Sequence, residues 1–139
     1  MRFINPDLVD LRNLLLEVRS IAVVGLSPND ERPSFRVARA MQSHGYRIVP
    51  VNPLAQELLG ETVYANLENV PFKVDLVDVF RAAEYVPAIV ESCIKLGIQR
   101  LWLQDGVIHE EAALCAQAAG ITVVMNRCIW RDYAQLCAT

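Results

Sequence analysis

One glycine, two serines and three arginines stand close together in "VVGLSPNDERPSFRVARAM" (Val23–Met41). Their types suit the holding of an anion. Gly25 has no Cβ, so the backbone can turn sharply there and approach a ligand. Ser27 and Ser34 add hydroxyl donors, and Arg32 or Arg36 adds charge. A helix opening at Ser34 presents free amides and the positive end of its dipole, which favour a phosphate. Together these groups suit a diphosphate; the plain alternative is a tight strand-to-helix connection that Ser34 merely caps. The G-x-G-x-x-G fingerprint is missing, and the connection Leu26–Pro33 is long for it. Asn52-Pro53 stands where an NAD site carries an acid for the ribose hydroxyl. The pattern G-x-x-x-x-G-K-[ST] is absent as well. An NAD dehydrogenase is therefore disfavoured.

Groups for covalent or acid–base chemistry are sparse. Cys128 follows Arg127, and a nearby cation lowers a thiol's pKa. It is the best reactive candidate, suited to a mixed disulfide with a thiol ligand; its plain role is that of an ordinary half-buried cysteine. Cys93 and Cys115 fall within helical stretches and are expected in the core, with Cys137 exposed near the end. His44 precedes Gly45 at a helix end, and His109 begins a helix. A lone histidine without an orienting partner is weak ground for general acid–base catalysis. Asp78 sits where a receiver domain carries its phosphorylated aspartate, but Gly25-Leu26 and Gln104-Asp105 do not supply the acidic pair and lysine such a site needs. Trp102 lies inside an apolar run, so packing is favoured over stacking on a base. Four cysteines without a C-x-x-C pair, and two histidines, leave almost no ligand set for zinc and read as reduced thiols.

These residues need elements to position them. "SIAVVGL" (Ser20–Leu26), "YRIVPVNP" (Tyr46–Pro53), "VDLVDVF" (Val74–Phe80), "IQRLWLQ" (Ile98–Gln104) and "ITVVMN" (Ile121–Asn126) are mostly apolar runs. They predict strands buried on both faces, as in a parallel sheet. Helices are predicted over Ser34–Gly45, Glu84–Gly97, His109–Gly120 and Ile129–Leu136, and after Asn5-Pro6, where Asn5 is the expected cap. Leu54–Pro71 is irregular, with one short strand expected at Glu61–Tyr64. The alternation implies right-handed crossovers in an α/β, Rossmann-like, doubly wound parallel sheet of about five strands, with helices on both faces. The expected strand order is 3-2-1-4-5. Ligands bind such sheets beyond the strands' carboxyl ends. The stretches there are Gly25-Leu26-Ser27, Val51-Asn52-Pro53, Phe80-Arg81, Leu103-Gln104-Asp105-Gly106 and Asn126-Arg127-Cys128.

Length and composition narrow the function class. The chain of 139 residues fits one domain, residues 1–139. A net charge of −3 with no basic run argues against a nucleic-acid surface. The N-terminus, broken by Pro6, Asp7 and Asp10, lacks a signal peptide's apolar core, and no apolar run is long enough for a membrane span. A soluble, cytoplasmic protein is expected.

The strings "VVGLSPNDERPSFRVARAM", "GYRIVPVNP", "VDLVDVFR", "LWLQDGVIHEEAA" and "VVMNRC", in this order between Leu15 and Leu136, resemble the small stand-alone CoA-binding proteins of the YccU-like family. That family is similar to the CoA-binding domain of succinyl-CoA synthetase alpha subunits and of acyl-CoA synthetases. The resemblance implies a Rossmann-like fold that binds coenzyme A or an acyl-CoA. It implies that Gly25, Leu26 and Ser27 line the phosphate turn and that Ser34 and Arg36 meet the phosphates. Val51, Asn52 and Pro53 border the adenosine, Phe80, Arg81, Gln104 and Gly106 line the adjacent crevice, and Asn126, Arg127 and Cys128 close the far side. Two positions depart from the family pattern: Asn126 replaces a frequent Asp, and Asp105 places a carboxylate near a polyanion. The synthetases use a phosphorylated histidine on a further domain, which this chain is expected to lack. The expectation is a binder without catalysis of its own, partnering an enzyme of acyl-CoA metabolism. The alternatives are an NAD(P)- or other nucleotide-dependent enzyme, a CoA-thiol exchange protein using Cys128, and a scaffold whose pocket is vestigial.

Overall fold

The computed structural model describes residues 2–138. Helix α1 (Leu8–Glu17) leads into an alternation of β1 (Ser20–Val24), α2 (Pro33–Ser43) and β2 (Arg47–Val51). A hairpin of β3 (Glu57–Leu58) and β4 (Glu61–Thr62) follows, with a 3-10 turn at Leu67–Asn69. Then come β5 (Leu76–Val79), α3 (Val86–Leu96), β6 (Arg100–Leu103), α4 (Glu110–Ala118), β7 (Thr122–Met125) and α5 (Ile129–Leu136).

Five strands form a parallel sheet in the order β2-β1-β5-β6-β7. Side chains alternate between faces along each strand. Ala22, Val24, Val77, Val79, Leu101 and Leu103 meet α3 and α4 on one face. Ile21, Val23, Ile48, Leu76, Trp102 and Val124 meet α1, α2 and α5 on the other. Both layers are apolar, which is why the strands read as continuous hydrophobic runs. No helix among the described residues is long and apolar enough to cross a membrane.

The Rossmann-like class holds, but the strand order does not. Numbering the five sheet strands along the chain, the order is 2-1-3-4-5 rather than 3-2-1-4-5. The outer edge of β2 is already taken. Tyr64 bridges to Val51 in parallel, donating its N–H to the Pro50 carbonyl and accepting from the Asn52 N–H. The third sheet strand crosses back and pairs with the free side of β1. The short strand expected at Glu61–Tyr64 is thus a hairpin arm followed by this bridge.

The cap of α1 also differs from expectation. Asp7, not Asn5, caps α1, its Oδ1 accepting the Asp10 N–H at 2.9 Å. Asn5 instead pairs with the outer edge of β7, bonding both the Met125 N–H (2.7 Å) and its carbonyl (2.9 Å). A side-chain amide there satisfies edge groups that a further strand would otherwise take. Cys93 is in the core, as expected, and burial pushes its thiol up to about 12. Cys115 is exposed on α4 rather than buried, and Cys137 is intermediate rather than exposed.

Candidate functional site

The chain leaves β1 toward β2 and later returns to β1's other side, so the switch point lies between β1 and β5. A crevice of about 660 Å³ opens there, at the carboxyl ends of the strands. Gly25, Ser27, Ser34, Phe80, Arg81, Gln104, Gly106 and Cys128 from the expected set all line it. Asp105, Val107, Val37 and Arg32 complete much of the wall.

One side is the start of α2. Its N-cap is Arg32 and Pro33 is the first helical residue, so Ser34 does not cap the helix. The Ser34 hydroxyl instead accepts the Ser27 N–H at 2.9 Å, tying the turn after β1 to the helix. Ser27 Oγ in turn accepts the Asn29 N–H. Proline at the first position has no N–H to lose. The next two amides, of Ser34 and Phe35, have no acceptor among the described residues. Free amides at a helix start, with the helix dipole behind them, are the donors an anion site would use.

Gly25 serves the fold as well as the crevice. Its φ is +87°, and an added Cβ would lie 2.6 Å from the Phe80 carbonyl oxygen. The end of β5 packs directly on this turn, so the glycine admits a neighbouring strand. Arg81 extends from that end with its guanidinium 4.1 Å from the Tyr85 ring centroid, a cation–π contact that holds it in place.

The opposite wall is built from paired charges. Arg131 grips Asp105 through two hydrogen bonds of 2.8 and 2.9 Å. The bonded guanidinium holds the Asp105 carboxyl below its usual range. The carboxylate expected to repel a polyanion is therefore neutralised by α5. Arg127 bonds Asp132 in the same forked way, at 2.6 and 2.9 Å, with Asp132 fully buried. The cation expected to act on Cys128 is thus committed to a carboxylate. Cys128 is buried at the N-cap of α5, one face on the crevice. Gln104 is buried too, its Oε1 accepting the Ile129 N–H at 3.1 Å. With these pairs closed, Arg32 and Arg81 line the crevice without a carboxylate partner among the described residues.

A smaller slot of about 180 Å³ adjoins on the β2 side. Val24, Val51, Pro53, Leu67 and Ile89 line it, and Arg81 is common to both cavities. Val51 and Pro53 of the expected set fall here rather than in the larger crevice.

The remaining expected residues line neither cavity. Leu26 is fully buried, and its carbonyl accepts the Asn52 Nδ2 at 2.8 Å. Asn52 Oδ1 accepts the Leu54 N–H, so that amide ties the ends of β1 and β2 together. Asn126 takes a left-handed conformation (φ +60°) and its Oδ1 accepts the Gly106 N–H at 2.8 Å. Arg36 is exposed, and Arg32 stands in the position the charge was expected to fill. The slot residues from Ala65 to Glu68, and Ser92, carry no periodic or motif signal in the sequence. Arg32 was one of the two arginines the sequence offered for charge, and it is the one that lines the crevice; Val107 was legible only as the neighbour of a strand-end stretch.

The candidates for acid–base chemistry lie elsewhere. His44 is the C-cap of α2, its ring 4.4 Å from that of Tyr133. His109 caps α4, its Nδ1 accepting the Ala112 N–H. Asp78 is wholly buried with Oδ1 unpartnered, and desolvation raises its pKa well above the usual value. Trp102 is fully buried, with Nε1 donating to the Arg127 carbonyl at 2.8 Å.

Comparison with known proteins bears on this crevice. A CoA binding domain family matches residues 19–134. The uncharacterized protein YneT of Bacillus subtilis is 38% identical over 125 residues, covering 90% of this chain and 93% of that one. An ADP-forming acetate–CoA ligase of Archaeoglobus fulgidus is 32% identical over 104 residues, 73% of this chain but 15% of the ligase. A hypothetical protein from Pyrococcus horikoshii superposes with a TM-score of 0.90 at 34% identity, covering 98% of this chain and 99% of that one. With the fold, the strand-end crevice and these likenesses in agreement, the chain belongs to the CoA-binding domain family.

Proposed function

We propose that this protein binds coenzyme A, or an acyl-CoA, in the crevice and its adjoining slot, without catalysis of its own. The observation that carries this is the pairing of charges. Two arginines without carboxylate partners, Arg32 and Arg81, flank a helix start with two free amides, in a chain of net charge −3. The diphosphate would lie against the Ser34 and Phe35 amides, Ser27 and Arg32. The adenosine would enter the slot beside Val51 and Pro53. The pantetheine arm would run past Gly106 and Val107 toward Cys128. Around the crevice the lining groups are chiefly donors, cations and apolar walls, with the Asp105 carboxylate paired to Arg131, and the slot adds the Glu68 carboxylate. A nucleophile beside a base is not among the described lining residues. Such a binder would be cytoplasmic and would serve an enzyme of acyl-CoA metabolism.

Calorimetric titration with CoA, 3′-dephospho-CoA and NAD tests this. The expected result is binding of CoA that weakens with salt, because cations hold the phosphates, and much weaker binding of NAD. No heat with CoA up to the millimolar range, or NAD the tighter ligand, would overturn it.

The position of Cys128 on the crevice wall favours one second reading, thiol exchange. Its thiolate would attack a CoA disulfide, forming a protein–CoA disulfide and releasing one CoA thiol. Mass spectrometry of the denatured protein after incubation with CoA disulfide tests it. An adduct of CoA mass, removed by reductant and missing in Cys128→Ser, supports exchange; an unmodified wild-type chain rejects it.

A further inference from the structure

Glu68 and Ser92 form the polar edge of the slot, and nothing in the family assignment gives them a role. Ser92 Oγ donates to Glu68 Oε2 at 3.0 Å. Both residues line the cavity, on the side away from the strands. The bond fixes the carboxylate and leaves Oε1 without a partner among the described residues. It also uses the serine's only proton. The Glu68–Ser92 edge can therefore accept hydrogen bonds and cannot donate one. The rest of the slot is dominated by apolar groups, the side chains of Val24, Val51, Leu67 and Ile89 among them. Asn66 also lines the slot, its Oδ1 accepting the Asn69 N–H. An apolar slot with a carboxylate acceptor fixed at its edge suits a heteroaromatic ring that carries an N–H donor. Arg81 lines both the slot and the larger crevice, so the two cavities lie next to one another on either side of its side chain. The ring and the phosphates would then belong to one ligand.

We infer that Glu68, oriented by Ser92, selects the base of the bound nucleotide by accepting a hydrogen bond from its exocyclic amino group. This rests on the CoA proposal, in which the amino group is that of adenine. Glu68 is exposed at the slot's rim, so its substitution leaves the packed core untouched. Hydrogen bonds to charged groups are worth enough to shift affinity by about tenfold.

The test compares CoA with 1,N6-etheno-CoA, in which a fused ring removes the amino group, on wild type, Glu68→Ala and Ser92→Ala. Wild type is expected to bind CoA about tenfold tighter than the etheno analogue. Glu68→Ala should weaken CoA to the analogue's level and leave the analogue unchanged. Ser92→Ala should weaken CoA by a smaller factor, since the carboxylate remains but is no longer fixed. Equal binding of both ligands by wild type would overturn the inference while leaving CoA binding intact. So would discrimination that persists in Glu68→Ala, which would mean the fused ring is excluded by size. Binding of neither ligand by wild type would instead remove the CoA proposal, and this inference with it.

Discussion

Replacing Gly25 by alanine separates two costs that glycines usually combine. The first is conformational: at φ +87° an L side chain is strained, by about 1–2 kcal/mol. The second is steric. A Cβ at this position would lie 2.6 Å from the Phe80 carbonyl oxygen and 2.9 Å from Arg81 Cδ. The Phe80 backbone cannot retreat freely, because its N–H donates to the Val24 carbonyl at 2.9 Å. Forcing it outward costs about 1–3 kcal/mol more, as overpacking does elsewhere. Gly106 is the control. Its φ is similar, +81°, but an added Cβ meets nothing within 4 Å. Gly106→Ala should therefore lose about 1–2 kcal/mol and Gly25→Ala about 2–5 kcal/mol. In a chain of this size each kcal/mol lowers the melting temperature by about 3–4 °C. Urea and thermal unfolding of the two variants measure the difference. The displaced Arg81 should also weaken CoA binding in Gly25→Ala. Equal losses in the two variants would refute the steric account, and Gly25 would then be a turn residue only.

Other outcomes follow from the charges. Arg32→Ala should weaken CoA binding about tenfold and flatten its salt dependence, while Arg36→Ala, outside the cavities, should leave both unchanged. Matched effects from the two would show that bulk charge, not placement, holds the ligand. Asp132→Ala should destabilise by about 2–3 kcal/mol, since it leaves Arg127 facing a vacated buried site; removing Asp105 from its exposed pair with Arg131 should cost under about 1 kcal/mol. Denaturant titrations of the two variants compare them. Asp78 gives a pH signature. Its pKa is raised in the fold, so the native chain binds this proton more tightly than the unfolded one. Its contribution is fully present below the unfolded value of about 4 and is lost as pH rises toward the folded value. Asp78→Asn should thus match wild type at the acid end and become progressively the more stable protein above about pH 4; a pH-independent difference would show that Asp78 is not held protonated.

How much of this was readable in the sequence depends on whether a feature is periodic, local or made by long-range pairing. The strand runs and the helix faces repeat with fixed periods, so the sheet and its two covering layers could be read from residues such as Ile21, Val23, Val77 and Leu101. The strand ends followed from those runs, which placed Gly25, Ser27, Arg81 and Cys128 on one edge. Strand order is a different kind of fact. It depends on the irregular stretch before β5, where Tyr64 bridges the edge of β2 through backbone bonds that leave no side-chain pattern. The cap exchanges have a similar origin. Asn5 and Ser34 are good capping residues by type, but each found a partner distant in sequence or across a turn, Met125 and the Ser27 amide. A residue's propensity states what bonds it can make; only the packed chain decides which donor arrives.

The crevice shows why charge must be read by pairing rather than by count. From the sequence, Asp105 looks hostile to a polyanion and Arg127 looks like an activator of Cys128. In the fold α5 answers both, placing Arg131 on Asp105 and Asp132 on Arg127. Those forks hold the far wall and remove its net charge. The field that remains comes from the α2 start, Arg32 and Arg81, all on the side where Ser27 and Ser34 are bonded together. On the proposed reading, a ligand with its charge at one end and an apolar arm at the other would use that division: phosphates on the cationic side, the arm along the neutral wall toward Cys128. Breaking the Asp105–Arg131 fork with Arg131→Ala would return a carboxylate to the neutral wall. That change should weaken binding of CoA more than Arg36→Ala does, though both remove one exposed positive charge. Titration of CoA against the two variants at low salt decides it: equal losses would mean that the forked pairs shape the wall without setting its field.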